Sequence, residues 1–241
     1  TIVFAIPVGI NMVQEKDYKF FFKGVMLGII AMPIGSFIAG VFYGIDAIKL
    51  IVNLIPLLIM AVIMIIGIMF FQTFLIKVFE VFGKLMNVVA IVGISAAAFK
   101  YLTGMTLIKG IAPLNEGAEV LINIGIVLMG SYPIIQIFKW ILAKPLNGIC
   151  KKFGMNAEGV MGMVVALANS VPVFAMIKDM NPKGKVINSA WLVCAAASLG
   201  AHLGYTSAVA PAMIPTLLIG KLSAGLIAVL FAALTKAEKI S

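Results

Sequence analysis

Gly200-Ala-His202-Leu-Gly204-Tyr205-Thr206-Ser207 interrupts an otherwise apolar run that extends from Val186 to Gly220 without Asp, Glu, Lys or Arg. One helix crossing a bilayer needs about 20 apolar residues, and this run is too long for a single span. It is apolar on both sides, polar in the centre, and carries Pro211 and Pro215 beyond the polar part. The pattern predicts two membrane segments meeting at an irregular joint. Irregular backbone at membrane depth persists only where protein buries it or where it lines a cavity. Broken helices of this kind build solute sites in transporters.

The rest of the composition agrees. Hydrophobic residues make up 63% of the chain and charged residues 11%, with a mean hydropathy of +1.16, which excludes an ordinary soluble domain. The formal net charge is +9, but all 18 basic residues are Lys, spread over many loops. Arg, the residue suited to bidentate phosphate contacts, is absent. The basicity is therefore read as juxtamembrane lysine beside anionic lipid, and no nucleic-acid partner is expected. Lysine counts on alternate loops are nearly equal, so they assign no orientation. Cys150 and Cys194 lie far apart without metal-ligand spacing; Cys194 is expected to be a buried small hydrophobe. The chain opens at Thr1 inside an apolar stretch without signal-peptide architecture, and part of the protein is expected to precede it.

Taken in order, Thr1 to Gln14 is an apolar piece too short to span alone, followed by a charged turn, Glu15 to Lys19. Gly24 to Ile45 reads as a span kinked at Pro33, with Gly24 and Gly28 at a spacing that lets helices approach closely. Leu50 to Ile76 reads as lipid-facing scaffold, Phe74 to Met86 as an interfacial amphipathic turn, and Leu85 to Phe99 as a shorter span. Tyr101 to Glu119 is the longest polar connection, with Glu116 and Glu119 at a helix entrance. Val120 to Phe138 is a span interrupted at Ser131-Tyr132-Pro133, best read as a proline kink. Gly159 to Ile177 is a second broken span, with Ala168-Asn169-Ser170-Val171-Pro172 near its middle. Lys178 to Lys185 is a turn by composition, and Leu222 to Thr235 closes the membrane part. The expected architecture is an all-α polytopic membrane protein with about seven to nine embedded helical segments, several discontinuous.

An internal repeat is expected from two pairs of blocks. Thr1-Ile-Val-Phe-Ala-Ile-Pro7 resembles Thr206-Ser-Ala-Val-Ala-Pro211, and Lys23-Gly-Val-Met-Leu-Gly28 resembles Lys221-Leu-Ser-Ala-Gly225. The chain then divides into residues 1–45, the end of a first repeat; 46–115, connecting scaffold helices; and 116–241, a second repeat.

The chemistry concentrates at the breaks. Pro172 removes a backbone donor and frees a carbonyl about one turn earlier, while Asn169 and Ser170 add amide and hydroxyl groups near mid-span. Asn169 and Ser170 are expected to contact the solute directly, the alternative being that they join two helices. His202 is either a proton relay or a neutral ring hydrogen-bonded between helices. Tyr205, Thr206 and Ser207 add hydroxyls, and the Tyr205 ring can face a cation. Thr1 would stand at the equivalent joint of the other repeat. Gly200, Gly204 and Pro211, with Pro172, shape the backbone. A single His allows no two-His zinc motif, and no nucleophile elbow or P-loop is present. No enzyme, cofactor or metal is expected.

In Leu167-Ala-Asn169-Ser-Val-Pro172-Val-Phe-Ala, Lys178-Asp-Met-Asn-Pro-Lys-Gly-Lys185 and Gly200-Ala-His-Leu-Gly-Tyr205-Thr, the sequence resembles the EutH family of bacterial ethanolamine-utilisation membrane proteins, regarded as ethanolamine permeases. The resemblance covers essentially the whole chain, which corresponds to the family's later two thirds. It implies a multi-pass protein of the bacterial inner membrane whose substrate is a small cationic amino alcohol, with the bilayer as its surroundings and a homo-oligomer possible. It also implies that an acidic Asn-Asp segment, partner to Asn169-Ser170, belongs to the first third. Other readings of the same residues are a cation-coupled carrier, such as a sodium-pump-type membrane subunit for another solute, and a structural or regulatory membrane protein.

Overall fold

The computed structural model describes residues 2–119 and 153–235, with isolated positions between 120 and 152. The described secondary structure is helical. Helix α1 (Ile2–Met12) leads through a 3-10 turn (Glu15–Asp17) into α2 (Tyr18–Phe42). Helices α3 (Ala47–Phe70) and α4 (Gln72–Thr103) follow. After the segment of isolated positions come α5 (Ala157–Ala168), α6 (Val171–Met176), α7 (Pro182–Ala195), α8 (Ala201–Val209) and α9 (Ile214–Leu234). Four helical segments among the described residues are long and apolar enough to cross a membrane: Glu15–Phe42, Ala47–Gly67, Thr73–Thr103 and Pro211–Leu234.

Local sequence sets the helix ends. Asp46 Oδ1 accepts from the backbone N–H groups of Ile48 and Lys49 at 3.1 and 3.2 Å, capping α3. Asn181 Oδ1 accepts from Gly184 N at 2.8 Å, and Pro182 occupies the first turn of α7, where no N–H is needed. Gly104 ends α4 in the left-handed region at φ 73°. At the far end of α9, the Lys183 ammonium donates to the carbonyls of Ala232, Ala233 and Thr235 at 3.0, 2.7 and 2.6 Å. Its three N–H groups thus meet three acceptors at a helix C-terminus, where positive charge is favoured.

The centre of the molecule is a tight bundle of α2, α7 and α9. A Cβ on Gly24 would lie 2.4 Å from the Val186 carbonyl oxygen and 2.5 Å from Ser189 Cβ; one on Gly28 would lie 2.5 Å from Val193 Cβ. The contacts advance together along both chains, so α2 and α7 run parallel. Gly35 faces Ala224 and Gly220 faces Ala39, which makes α9 antiparallel to α2. Small residues give these helices the close approach that dispersion needs when lipid is as apolar as the core. Phe21, Phe22 and Phe174 are fully buried where α1, α4 and α6 meet the bundle, with Phe22 stacked on Phe79 at 5.8 Å. By contrast Ile48, Ile59, Val81, Ile91 and Ile94 on α3 and α4 are exposed, as befits side chains facing lipid.

Several expected boundaries shift. Phe74 to Met86 is not an interfacial turn but part of the continuous α4, whose Lys84 and Glu80 pair at 2.8 Å across one helical turn. The stretch Pro182 to Lys185 is the first turn of α7 rather than loop, because the Asn181 cap starts the helix there. Leu222 to Thr235 continues α9 from Ile214. The long run from Val186 to Gly220 breaks twice, before α8 and again at the 3-10 turn Pro211–Met213. Ser131, Tyr132 and Cys150 lie outside the described residues.

Two lysines also depart from the juxtamembrane reading. Lys185 is buried and donates to Asp17 Oδ1 at 2.5 Å. Asp17, read as part of a charged turn, is only 3% exposed, and its Oδ2 has no hydrogen-bond partner among the described residues. Burial of either charge is tolerable only because the other is present. Lys221, within α9, is the second case.

Two outcomes test this architecture. Gly24→Ala should lower stability by about 1–3 kcal/mol through overpacking, whereas Gly93→Ala, with open space around it, should be neutral or slightly stabilising; thermal unfolding in detergent distinguishes them. Lys185→Met should cost about 3–5 kcal/mol by stranding Asp17, and the double variant with Asp17→Leu should regain most of that loss in the same measurement.

Candidate functional site

The break expected at Asn169–Pro172 meets a second break at residues 196–200, upstream of the expected joint, since Ala201 to Ser207 are helical within α8. Helix α5 ends at Ala168; Asn169 is extended (φ −150°, ψ 128°) and α6 restarts after Ser170. Helix α7 ends at Ala195, and residues 196–200 form an irregular turn in which Ala197 takes the left-handed conformation at φ 54°. The turn's N–H groups serve the open end of α5. Ala197 N donates to the Ala166 carbonyl at 2.7 Å and Leu199 N to the Leu167 carbonyl at 2.8 Å. Free carbonyls at a helix C-terminus inside a membrane must find such donors.

Gly200 makes the contact possible. A Cβ at this position would sit 1.8 Å from the Ala168 carbonyl oxygen, so only glycine lets the two chains approach this closely. Further bonds tie α5 to α7 along the rest of their length. Trp191 Nε1 donates to the Met163 carbonyl at 2.9 Å, and buried Asn188 donates from Nδ2 to the Gly159 carbonyl at 2.7 Å. The broken helices and their joint are thus one hydrogen-bonded unit.

Beside this unit lies a cavity of about 670 Å³ between α2, α8 and α9, reaching the end of α7. Its walls are mainly apolar, with polar groups from Ser36, His202, Tyr205, Thr206, Thr216 and Lys221. His202 Nδ1 lies 3.0 Å from the Ala196 carbonyl oxygen. A carbonyl only accepts, so Nδ1 carries the hydrogen, and in the neutral ring Nε2 is left as an acceptor. The ring is held by its own joint and does not bridge to a distant helix. Ser207 Oγ donates back to the Gly204 carbonyl at 2.9 Å. Cys194, buried, donates from Sγ to the Gly28 carbonyl at 3.2 Å.

Of the residues singled out in the sequence, His202, Tyr205 and Thr206 come together on the cavity wall. Asn169 and Ser170 are not among its lining residues. Asn169 Oδ1 accepts from Val171 N at 3.0 Å, so this side chain closes the start of α6 in a local turn. Ser170 is buried and its carbonyl accepts from Val173 N and Phe174 N. Pro172 stands in the first turn of α6 and Pro211 opens the 3-10 turn that follows α8; both sit where a missing N–H costs nothing. Gly204 is buried on α8, its N–H bonded to the Gly200 carbonyl. Thr1 lies outside the described residues.

Sequence reasoning missed Ser36, Thr216 and Lys221. The signal for Lys221 was present, since it is the one formal charge between Val186 and Thr235, and a charge inside an apolar run marks a functional candidate. Ser36 and Thr216 carry no such signal.

Several helices long and apolar enough to cross a membrane, with discontinuous helices beside a partly polar cavity, define a multi-pass helical membrane protein. The family model described as "Ethanolamine utilisation protein, EutH" matches residues 1–235, and the chain belongs to that family. It is 43% identical over 229 residues to a Listeria monocytogenes protein named "Probable ethanolamine permease EutH", covering 95% of this chain and 61% of the relative. A Bacillus subtilis protein, YxeR, is 36% identical over 233 residues, 96% of this chain and 63% of its own length. The Salmonella typhimurium protein named "Probable ethanolamine permease EutH" is 34% identical, with 95% and 62% covered. The chain therefore spans about three fifths of the length of these relatives. No solved structure matches it.

The joint yields a direct test. Gly200→Ala should push α5 away from the 196–200 turn and cost about 3 kcal/mol, at the upper end of ordinary overpacking. A variant that melts with the wild type would show that the two breaks do not touch.

Proposed function

We propose that the protein of which this chain is part is a membrane permease for a small cationic amino alcohol, with ethanolamine as the substrate, and that the cavity beside the broken helices receives it. The observation that carries this reading is the convergence of His202, Tyr205 and Thr206 from α8 with Ser36 and Thr216 on one cavity of about 670 Å³, in a chain of the EutH family. The name of the Listeria and Salmonella relatives, probable ethanolamine permease, supports the substrate. Ethanolamine is mostly protonated at neutral pH, and a charged ammonium crosses hydrocarbon poorly. Its alcohol needs hydroxyl or imidazole partners, which the cavity offers, and the cavity's volume admits a small hydrated amine. The Tyr205 ring offers a face to the ammonium.

In this reading Asn169, Ser170, Pro172, Gly200 and Gly204 act one step back from the solute, by holding open the joint on which α8 is mounted. Residues 1–45 and 116–241 form two related units around the connecting helices 46–115. In support, α1, the turn Glu15–Asp17 and α2 share the order helix, 3-10 turn, long helix with α8, the turn Pro211–Met213 and α9.

Uptake of labelled ethanolamine into liposomes at pH 6 tests the proposal with the full-length protein, since acidity suppresses leakage of the neutral amine. Wild type should show saturable uptake. Thr206→Val should raise the half-saturating concentration about tenfold, the equivalent of one lost hydrogen bond. Asn169→Ala should lower the maximal rate or the amount of folded protein while leaving half-saturation unchanged. Uptake no greater than in empty liposomes, with sodium and proton gradients both applied, overturns the substrate.

A further inference from the structure

Lys221 poses a problem for any cationic solute. It stands in the second turn of α9, lines the cavity, and is largely shielded. Among the described residues its ammonium makes no hydrogen bond and no ion pair, unlike Lys183 with its three carbonyls and Lys185 with Asp17. Among the described residues no Asp or Glu lines the cavity. The other titratable groups facing it are Cys194 from α7 and His202 and Tyr205 from α8, while α2 contributes Met32, Ser36, Ala39 and Gly40, none of which titrates. Two like charges within one mainly apolar-walled space repel more strongly than they would in bulk water. A lysine placed in such a space changes protonation state readily.

Resting on the substrate class proposed above, we infer that Lys221 is an exchange group: the cavity holds one positive charge, either its own ammonium or that of the bound amine. As the cationic solute enters, the N–H bond of the Lys221 ammonium breaks and the proton passes to water, leaving a neutral amine with a lone pair that can accept from the solute's ammonium. As the solute leaves, Lys221 takes a proton back. Charge in the cavity is conserved, and movement of the amine in one direction is tied to movement of a proton in the other.

The sign of the pH effect follows. Acid favours the Lys221 ammonium and therefore opposes binding, so the apparent Kd for ethanolamine should rise about tenfold from pH 7 to pH 6, one proton being exchanged per solute. The solute itself stays protonated across that interval and contributes no slope. Titration calorimetry on the full-length protein in nanodiscs, in two buffers of different ionisation enthalpy, counts the proton directly. Wild type should release one proton per ethanolamine bound. Lys221→Met should bind ethanolamine with none released and with a Kd that no longer changes between pH 6 and 7. Lys221→Arg, which keeps a charge that cannot be given up, should lose binding. Wild-type binding without proton release, proton release that persists in Lys221→Met, or wild-type affinity in Lys221→Arg would each overturn the exchange role while leaving the substrate standing. Absence of any saturable binding by wild type overturns the substrate, and the exchange with it.

Discussion

Everything in this structure that is not ordinary helix packing depends on two hydrogen bonds, from Ala197 N to the Ala166 carbonyl and from Leu199 N to the Leu167 carbonyl. A helix that stops in the interior leaves buried carbonyls with no water to satisfy them. Helix α5 stops at Ala168, and the irregular turn after α7 supplies the donors. Each break thus solves the other's difficulty, and neither would be stable alone. The close approach at Gly200 and the left-handed backbone at Ala197 are the local conformations that this mutual capping requires. Helix α8, with its cavity-facing side chains, starts directly from the joint, so the geometry of the site is inherited from these bonds.

Around the joint, polarity is handled by local pairing. Asn188 and Trp191 donate to α5 carbonyls, Lys183 closes the end of α9, and Lys185 meets Asp17. In a low-dielectric interior each such group is costly alone and acceptable in company. Lys221 departs from that rule among the described residues, and it faces the cavity beside the joint. The contrast between these two satisfied lysines and Lys221 separates structural charge from charge that can respond to a ligand.

Close helix contact is the other constraint. Without a hydrophobic force between helices in lipid, association relies on dispersion and therefore on distance. Glycines at 24, 28, 35, 220 and 225 set that distance for α2, α7 and α9, and the cavity opens where these three helices meet α8. The outer helices α3 and α4 keep their large side chains exposed. They complete the membrane-facing surface and contribute to the cavity only through Leu50 at the start of α3.

Length, hydropathy and the placement of proline and glycine are properties of short stretches, so the sequence by itself determined that the protein crosses a membrane, that it breaks near Asn169–Pro172 and again within the run Val186 to Gly220, and that His202, Tyr205 and Thr206 are grouped beside the second break. Only the tertiary structure decided that the two breaks cap each other, that Asn169 accepts locally from Val171 N at the start of α6, that Asp17 and Lys185 are buried together, and that Ser36, Thr216 and Lys221 join the cavity wall. The reason is physical. In a soluble helix the apolar stripe tells which face is inside, but here lipid and core are equally apolar, and the rotation of each helix leaves no period in the sequence. Which distant residues meet then rests on close packing and on the pairing of polar groups, and both are settled only when the helices come together.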